Sequence, residues 1–108
     1  QQWDRPNGWA PLQYLAVEGL AAYGETDLAR EIARRWLREN IQSYRISGVL
    51  VEKYDVEHLP SRHSARGGTG GEYALQIGFG WTNGVLAKLM SQYPRETAAA
   101  LGRAAPAR

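Results

Sequence analysis

Residues 11–44 read PLQYLAVEGLAAYGETDLAREIARRWLRENIQSY, and their periodicity decides the fold class. Leu12, Leu15, Ala16, Gly19, Leu20 and Tyr23 recur at intervals of three and four, the spacing of one face of an α-helix. Pro11 suits the first turn, where its missing N–H costs nothing, and Gly24 is a natural stop. A second helix follows at once. Thr26 or Asp27 is placed to cap it, and Leu28, Ala29, Ile32, Ala33, Trp36, Leu37, Ile41 and Tyr44 form a broad apolar face. Arg30, Glu31, Arg34, Arg35, Arg38 and Glu39 fall on the opposite side and read as a solvated face. Glu31 and Arg35 stand four apart in the favourable orientation, worth a few tenths of a kcal/mol. Two helices joined by so short a turn are expected to pack as an antiparallel hairpin.

Outward from this hairpin the pattern weakens. Residues 1–10, QQWDRPNGWA, read as a loop in which Pro6-Asn7-Gly8 has turn chemistry and tolerates positive φ. Downstream, Val49, Leu50, Val51, Tyr54 and Val56 favour an extended chain. The polar, glycine-rich run PSRHSARGGTGGEY (60–73) reads as a loop. Thr82 is placed to cap a third helix carrying Val85, Leu86, Leu89, Met90 and Tyr93, which Pro94 stops. The Ala/Arg-rich residues 95–108 read as a frayed helical turn followed by disorder. The expectation is therefore an all-α chain with active loops between its helices.

At 108 residues the chain is one domain at most, or a piece of one. Its 44% hydrophobic and 22% charged residues are ordinary for a globular chain. The longest uncharged stretch, between Glu72 and Lys88, is broken by Gln76, Thr82, Asn83 and glycines, and cannot be a membrane span of roughly 20 apolar residues. The net charge of +2 sits beyond Tyr93, where Arg95, Arg103 and Arg108 face Glu96. No basic run is interleaved with aromatics, which argues against a nucleic-acid partner. The absence of cysteine excludes disulfides and thiolate metal sites. A chain starting at Gln1 is expected to have lost its natural beginning, so the compartment, periplasmic or cytoplasmic, stays open. Trp3, Trp9 and Trp81 lie in loops, and loops rarely keep large aromatics without a surface to rest on. A chain this short buries little more than about 60% of its unfolded surface. The core is expected to be completed by something else.

Nucleophile elbows, Walker loops and dinucleotide fingerprints are missing. His58 and His63, in a polar loop, would need further partners to hold a metal, and two surface histidines is the default reading. Among the carboxylates, helix faces and caps account for all but Asp4, Glu52, Asp55 and Glu72. Carboxylates near aromatics and flexible glycines suit sugar chemistry: rings stack on the pyranose, carboxylates bind hydroxyls, and one carboxylate takes the proton of water. Each also has a plainer reading, Glu52 as an edge-strand acid in water and Glu72 as a helix-cap acid. The GGTGG glycines could equally serve as a flexible linker or as a phosphate-cradling loop without its lysine.

QQWDRPNGWAPLQ (1–13) resembles the second signature of the trehalases, Gln-Trp-Asp-x-Pro-x-Gly-Trp-Ala-Pro, a family of glycoside hydrolases. VEKYDV (51–56) and GGEYALQIGFGWTNGVLAKL (70–89) are similar to two further blocks of the family's C-terminal part, in the same order. The resemblance covers residues 1–93, expected to be an incomplete C-terminal part of the catalytic domain, and leaves 94–108 as a tail. It implies an (α/α)6 toroid, of which this chain would form about three to four helices plus active-site loops. It also implies hydrolysis of α,α-trehalose to two glucoses with inversion, without metal or cofactor, and without a nucleic-acid or membrane partner.

Inversion takes a general acid and a general base about 6.5–9.5 Å apart. By its place in VEKYD, Glu52 matches the family's general base. Glu72, in GGEY, matches a substrate-binding carboxylate, and Trp3 and Asp4 are carried over as pocket residues. Trp81 and Asn83 are expected to buttress the glycine loop against the last helix. The family's general acid is an aspartate in an upstream Gly-Trp-Asp motif that nothing here matches. The isolated chain should therefore be inactive and should need the N-terminal part of its own domain. The loop between Glu52 and Glu72 is somewhat long and its glycine run is interrupted by Thr69, which touches lid motion rather than the base. The competing readings are another (α/α)6 α-glucosidase and a non-catalytic sugar-binding or scaffold piece.

Overall fold

Helix α1 (Ala10–Ala22) and helix α2 (Thr26–Ser47) form the hairpin on which the rest of the chain is hung. The computed structural model describes residues 2–58 and 74–102. Pro11 lies in the first turn of α1, and Gly24 adopts φ +84 in the reversal, the left-handed conformation that glycine reaches without a Cβ penalty. Neither Thr26 nor Asp27 caps α2. Glu25 occupies the cap position without a side-chain hydrogen bond, and Asp27 instead places its charge in the first turn, near the positive end of the helix dipole. Tyr44 does not end α2 either. The helix runs on to Ser47 and stops at Gly48, whose φ of +76 lets its N–H reach the Tyr44 carbonyl at 2.7 Å.

The N-terminal loop contains a strand the sequence did not announce. Strand β1 (Asn7–Trp9) pairs antiparallel with β2 (Lys53–Asp55) in the register Asn7↔Asp55, Gly8↔Tyr54 and Trp9↔Lys53. Neither Asn7 nor Gly8 has positive φ; the turn lies just before β1 and is closed by the Asn7 N–H donating to the Asp4 carbonyl at 3.1 Å. Helix α3 (Gly80–Gln92) starts two residues before Thr82, which is therefore not its cap. The Thr82 hydroxyl instead donates to the Val51 carbonyl at 2.9 Å and ties α3 to the segment leading into β2. Pro94 both ends α3 and opens α4 (Pro94–Ala100), a regular helix with Thr97 and Ala98 buried, where a frayed turn was expected. Residues 103–108 of the tail lie outside the described residues.

All-α architecture is what the hairpin spacing implied, and the short β1–β2 pair is its sole sheet among the described residues. Ala10, Val17, Ala29, Ala33, Trp36, Leu37, Ile41, Val51, Tyr54, Leu86 and Leu89 make the core. Polar links close the packing. Gln92 donates to Glu18 at 2.9 Å between α3 and α1, and Arg30 meets Glu96 at 3.4 Å between α2 and α4. On α1 the face differs from the one expected: Val17 is buried, while Leu12 (53%), Leu15 (66%) and Tyr23 (90%) stay exposed. Apolar residues therefore lie on more than one side of α1.

Candidate active site

Gly8 is where the site begins. A Cβ there would lie 2.3 Å from Val56 Cγ1 and 3.3 Å from Trp36 Cζ3, so any larger residue would force Val56 to rotate or β1 to move off β2. That approach seats Trp9 opposite Lys53. Trp9 is 1% exposed, and its indole N–H donates to the Gln2 carbonyl at 3.0 Å. Trp3 stacks on Trp9 with centroids 4.0 Å apart and planes 20° apart. Trp81, in the first turn of α3, meets Trp9 edge-on at 5.7 Å and Trp3 at 6.4 Å, with Phe79 beside it at 5.0 Å. The three tryptophans thus rest on one another, and of the three expected in loops only Trp3 lies in one, Trp9 being in β1 and Trp81 in α3. Trp3 remains 55% exposed and Trp81 39%, leaving an aromatic wall open on one side.

Glu52 is linked to this wall through Lys53. It occupies the bend before β2 and has no exposed surface. Its Oε1 accepts from Lys53 Nζ at 2.9 Å and from the Gln76 N–H at a long 3.5 Å. Its backbone is clamped as well: the Glu52 N–H donates to the Gln76 carbonyl at 3.0 Å, and Gly78 N–H donates to the Leu50 carbonyl at 3.0 Å. Lys53 is equally buried. Its Nζ sits 5.2 Å from the Trp9 ring centroid, the geometry of a cation–π contact, and 3.5 Å from Gln2 Oε1. Opposite charges this close offset part of each other's desolvation, which is how two ions can be fully buried side by side. The reading of Glu52 as an edge-strand acid in water does not hold, because its carboxylate is enclosed.

The remaining candidates scatter. Asp4 is exposed beside Trp3 in the turn before β1, and its carbonyl accepts from the Asn7 N–H at 3.1 Å. Glu72 and His63 lie outside the described residues. His58 is exposed and pairs through Nδ1 with Asp55 at 3.0 Å. Burial acts to raise the Asp55 pKa, but the His58 ring and the N–H groups of Glu57 and His58 outweigh it and hold the carboxyl below its ordinary value. Among the described residues no group of three His, Asp or Glu is placed to hold a metal, and no helix is long and apolar enough to cross a membrane. Asn83 is exposed, away from the tryptophan wall, in a shallow recess with Tyr44, Val49, Leu50 and Ile77.

One expectation on α2 is overturned. Glu39, assigned to the solvated face, is 6% exposed. Burial, then the nearby Asp55 charge, push its pKa up to about 7 against the opposing pull of Arg38 and Ser43. Sequence reasoning also passed over Lys53 and Trp9. The signal available for both was a lysine and a tryptophan inside the very blocks that carried Glu52 and Trp3.

Comparison with known proteins places these features together. The Trehalase family model matches residues 1–94. The chain is 53% identical over its whole length to the periplasmic trehalase of Xanthomonas oryzae pv. oryzae, covering 17% of that protein. It is 55% identical over 93 residues, 86% of the chain, to the periplasmic trehalase of Pseudomonas aeruginosa, covering 16% of it. Over 90 residues, 83% of the chain, it is 53% identical to the periplasmic trehalase of Salmonella newport, covering 15%. The chain spans about a sixth of the length of the curated relatives it matches.

Proposed function

The chain belongs to the trehalase family, and from that premise we propose that it supplies the general base of a parent enzyme that hydrolyses α,α-trehalose to two glucoses with inversion. Glu52 is that base. It takes a proton from water as the oxygen of that water bonds to the anomeric carbon and the glycosidic bond breaks. An aspartate outside this chain protonates the departing oxygen. Trp3, with its exposed face, stacks on a glucose ring, while Asp4 and Glu72 bind hydroxyls. The observation that carries the reading is a fully buried glutamate with a clamped backbone, joined through Lys53 to a partly exposed tryptophan wall. Enclosure keeps bulk water from the carboxylate, so uncovering it to admit sugar and one water is part of the cycle. Relatives named periplasmic favour a periplasmic parent.

The test is Glu52→Gln in the full-length parent. A general base contributes about 10²–10⁴-fold, so trehalose turnover falls by orders of magnitude while trehalose binding is largely kept. Unchanged turnover eliminates the assignment. Inversion is read separately by proton NMR in the first minutes of reaction: one α-glucose leaves intact and the attacked ring appears as β-glucose. Equal or better turnover of maltose would favour a different α-glucosidase, and binding without turnover in the wild-type parent a sugar-binding piece.

A further inference from the structure

Resting on Glu52 as the base, we propose that Lys53 is a positioning residue. It holds one oxygen of the Glu52 carboxylate so that the other meets the attacking water, and it locks the base in register with the tryptophan wall. Neighbouring residues on an extended chain point to opposite faces. Glu52 escapes this because it lies in the bend before β2, which lets the Lys53 ammonium turn back to Oε1 at 2.9 Å. The lysine is itself fixed from three directions. Its backbone pairs across the sheet with Trp9, its Nζ lies over the Trp9 ring at 5.2 Å, and Gln2 Oε1 stands 3.5 Å away. Position therefore passes from Trp3 to Trp9 by stacking, from Trp9 to Lys53 by the strand pair and the cation–π contact, and from Lys53 to Glu52 by the ion pair.

A glutamate has three side-chain torsions, and nothing in a water-filled pocket would choose among their combinations. Tethering Oε1 chooses one. Reacting groups need placement to roughly 0.5 Å, and a shift of about 1 Å can cost about 10²-fold in rate. Lysine suits the task because its ammonium is compact and rotatable, able to serve a carboxylate, an amide oxygen and a ring face at once. A purely structural ion pair would stabilise the fold and leave the chemistry of each folded molecule alone.

The two roles separate in the full-length parent. Lys53→Met, assayed per folded molecule with folding checked by circular dichroism and thermal melting, is expected to lose kcat by about 30–100-fold with KM within about threefold of wild type, and Lys53→Arg to recover at least part of it. Because the lysine acts through Glu52, adding Lys53→Met to Glu52→Gln should cost no further kcat, whereas independent roles would multiply. Where Lys53→Met does not fold, Lys53→Gln, whose shorter neutral side chain stays polar but lacks the charge and reach of the ammonium that holds Oε1, carries the same comparison. Wild-type kcat in a folded Lys53→Met or Lys53→Gln enzyme overturns the proposal, and so does a multiplicative loss in the double variant. If Glu52→Gln itself turns over normally, the base assignment has failed. If Glu52→Gln is inactive while Lys53→Met is fully active, the Lys53 proposal alone has failed.

Discussion

Glu39 shows what one buried carboxyl does to a helix that looks solvated. Its side chain follows the charged run of α2, yet the return of β2 and the Asp55 turn cover it. In the unfolded chain it ionises near the ordinary glutamate value of 4.5; in the folded chain its pKa is pushed up to about 7. Between these values the folded state holds a proton that the unfolded state has released, so stability falls as pH rises through that window. The loss amounts to about 3 kcal/mol above pH 7, set by about 1.4 kcal/mol per pKa unit. Asp55 drives the shift further up and Arg38 and Ser43 oppose it, so both stay in place in the test. Glu39→Gln in the parent should flatten the pH dependence of the thermal midpoint between pH 4.5 and 7 and raise the midpoint above pH 7. A midpoint that tracks wild type at every pH would exclude Glu39 as the source.

At the scale of elements, the site depends on two short strands that periodicity could not reveal. Three residues each are too few to establish a period of two, and β1 sits in a segment rich in turn formers. What favours the pairing is the close approach that Gly8 allows without moving Val56. Gly8→Ala puts a methyl 2.3 Å from Val56 Cγ1, and β1 must move away or Val56 must rotate. The expected cost is about 1–3 kcal/mol, read as a lower thermal midpoint. Turnover should fall more than the folded fraction does, because Trp9 carries Lys53 and, through it, Glu52. A Gly8→Ala enzyme with normal turnover would uncouple the strand pair from the site. Thr82 teaches a related lesson: its position three residues into α3 resembles a cap by composition, but its hydroxyl is used to hold Val51, a long-range bond invisible along the chain.

For the whole molecule, the exposed apolar residues are the telling feature. Leu15 and Trp81 line a shallow groove between α1 and α3 with Tyr14 and Val85, nearly all of it apolar, and Leu12, Tyr23 and Leu28 are exposed elsewhere on the hairpin. A free domain seldom leaves so much uncovered, and the relatives carry far more chain than this one. Expressed alone, residues 1–108 should bind ANS, associate at micromolar concentration and fail to hydrolyse trehalose. Supplying the rest of the domain in trans should suppress ANS binding and restore activity. A monomeric, ANS-silent fragment would show that this face needs no cover.

The helical hairpin, the helix over Val85–Tyr93 and the family were legible along the chain. Local spacing, glycine and proline stops and ordered motifs are properties of neighbours in sequence. Glu52 and Trp3 could be singled out as candidates for the same reason, as members of those motifs. The environment of each was not. Whether a charge is enclosed, which cation it meets, and that three tryptophans form one wall depend on contacts between segments tens of residues apart, brought together when β1 lies against β2 and α3 meets Trp9 and the segment leading into β2. Burial and charge pairing are sums over such contacts, and only the tertiary structure could decide them.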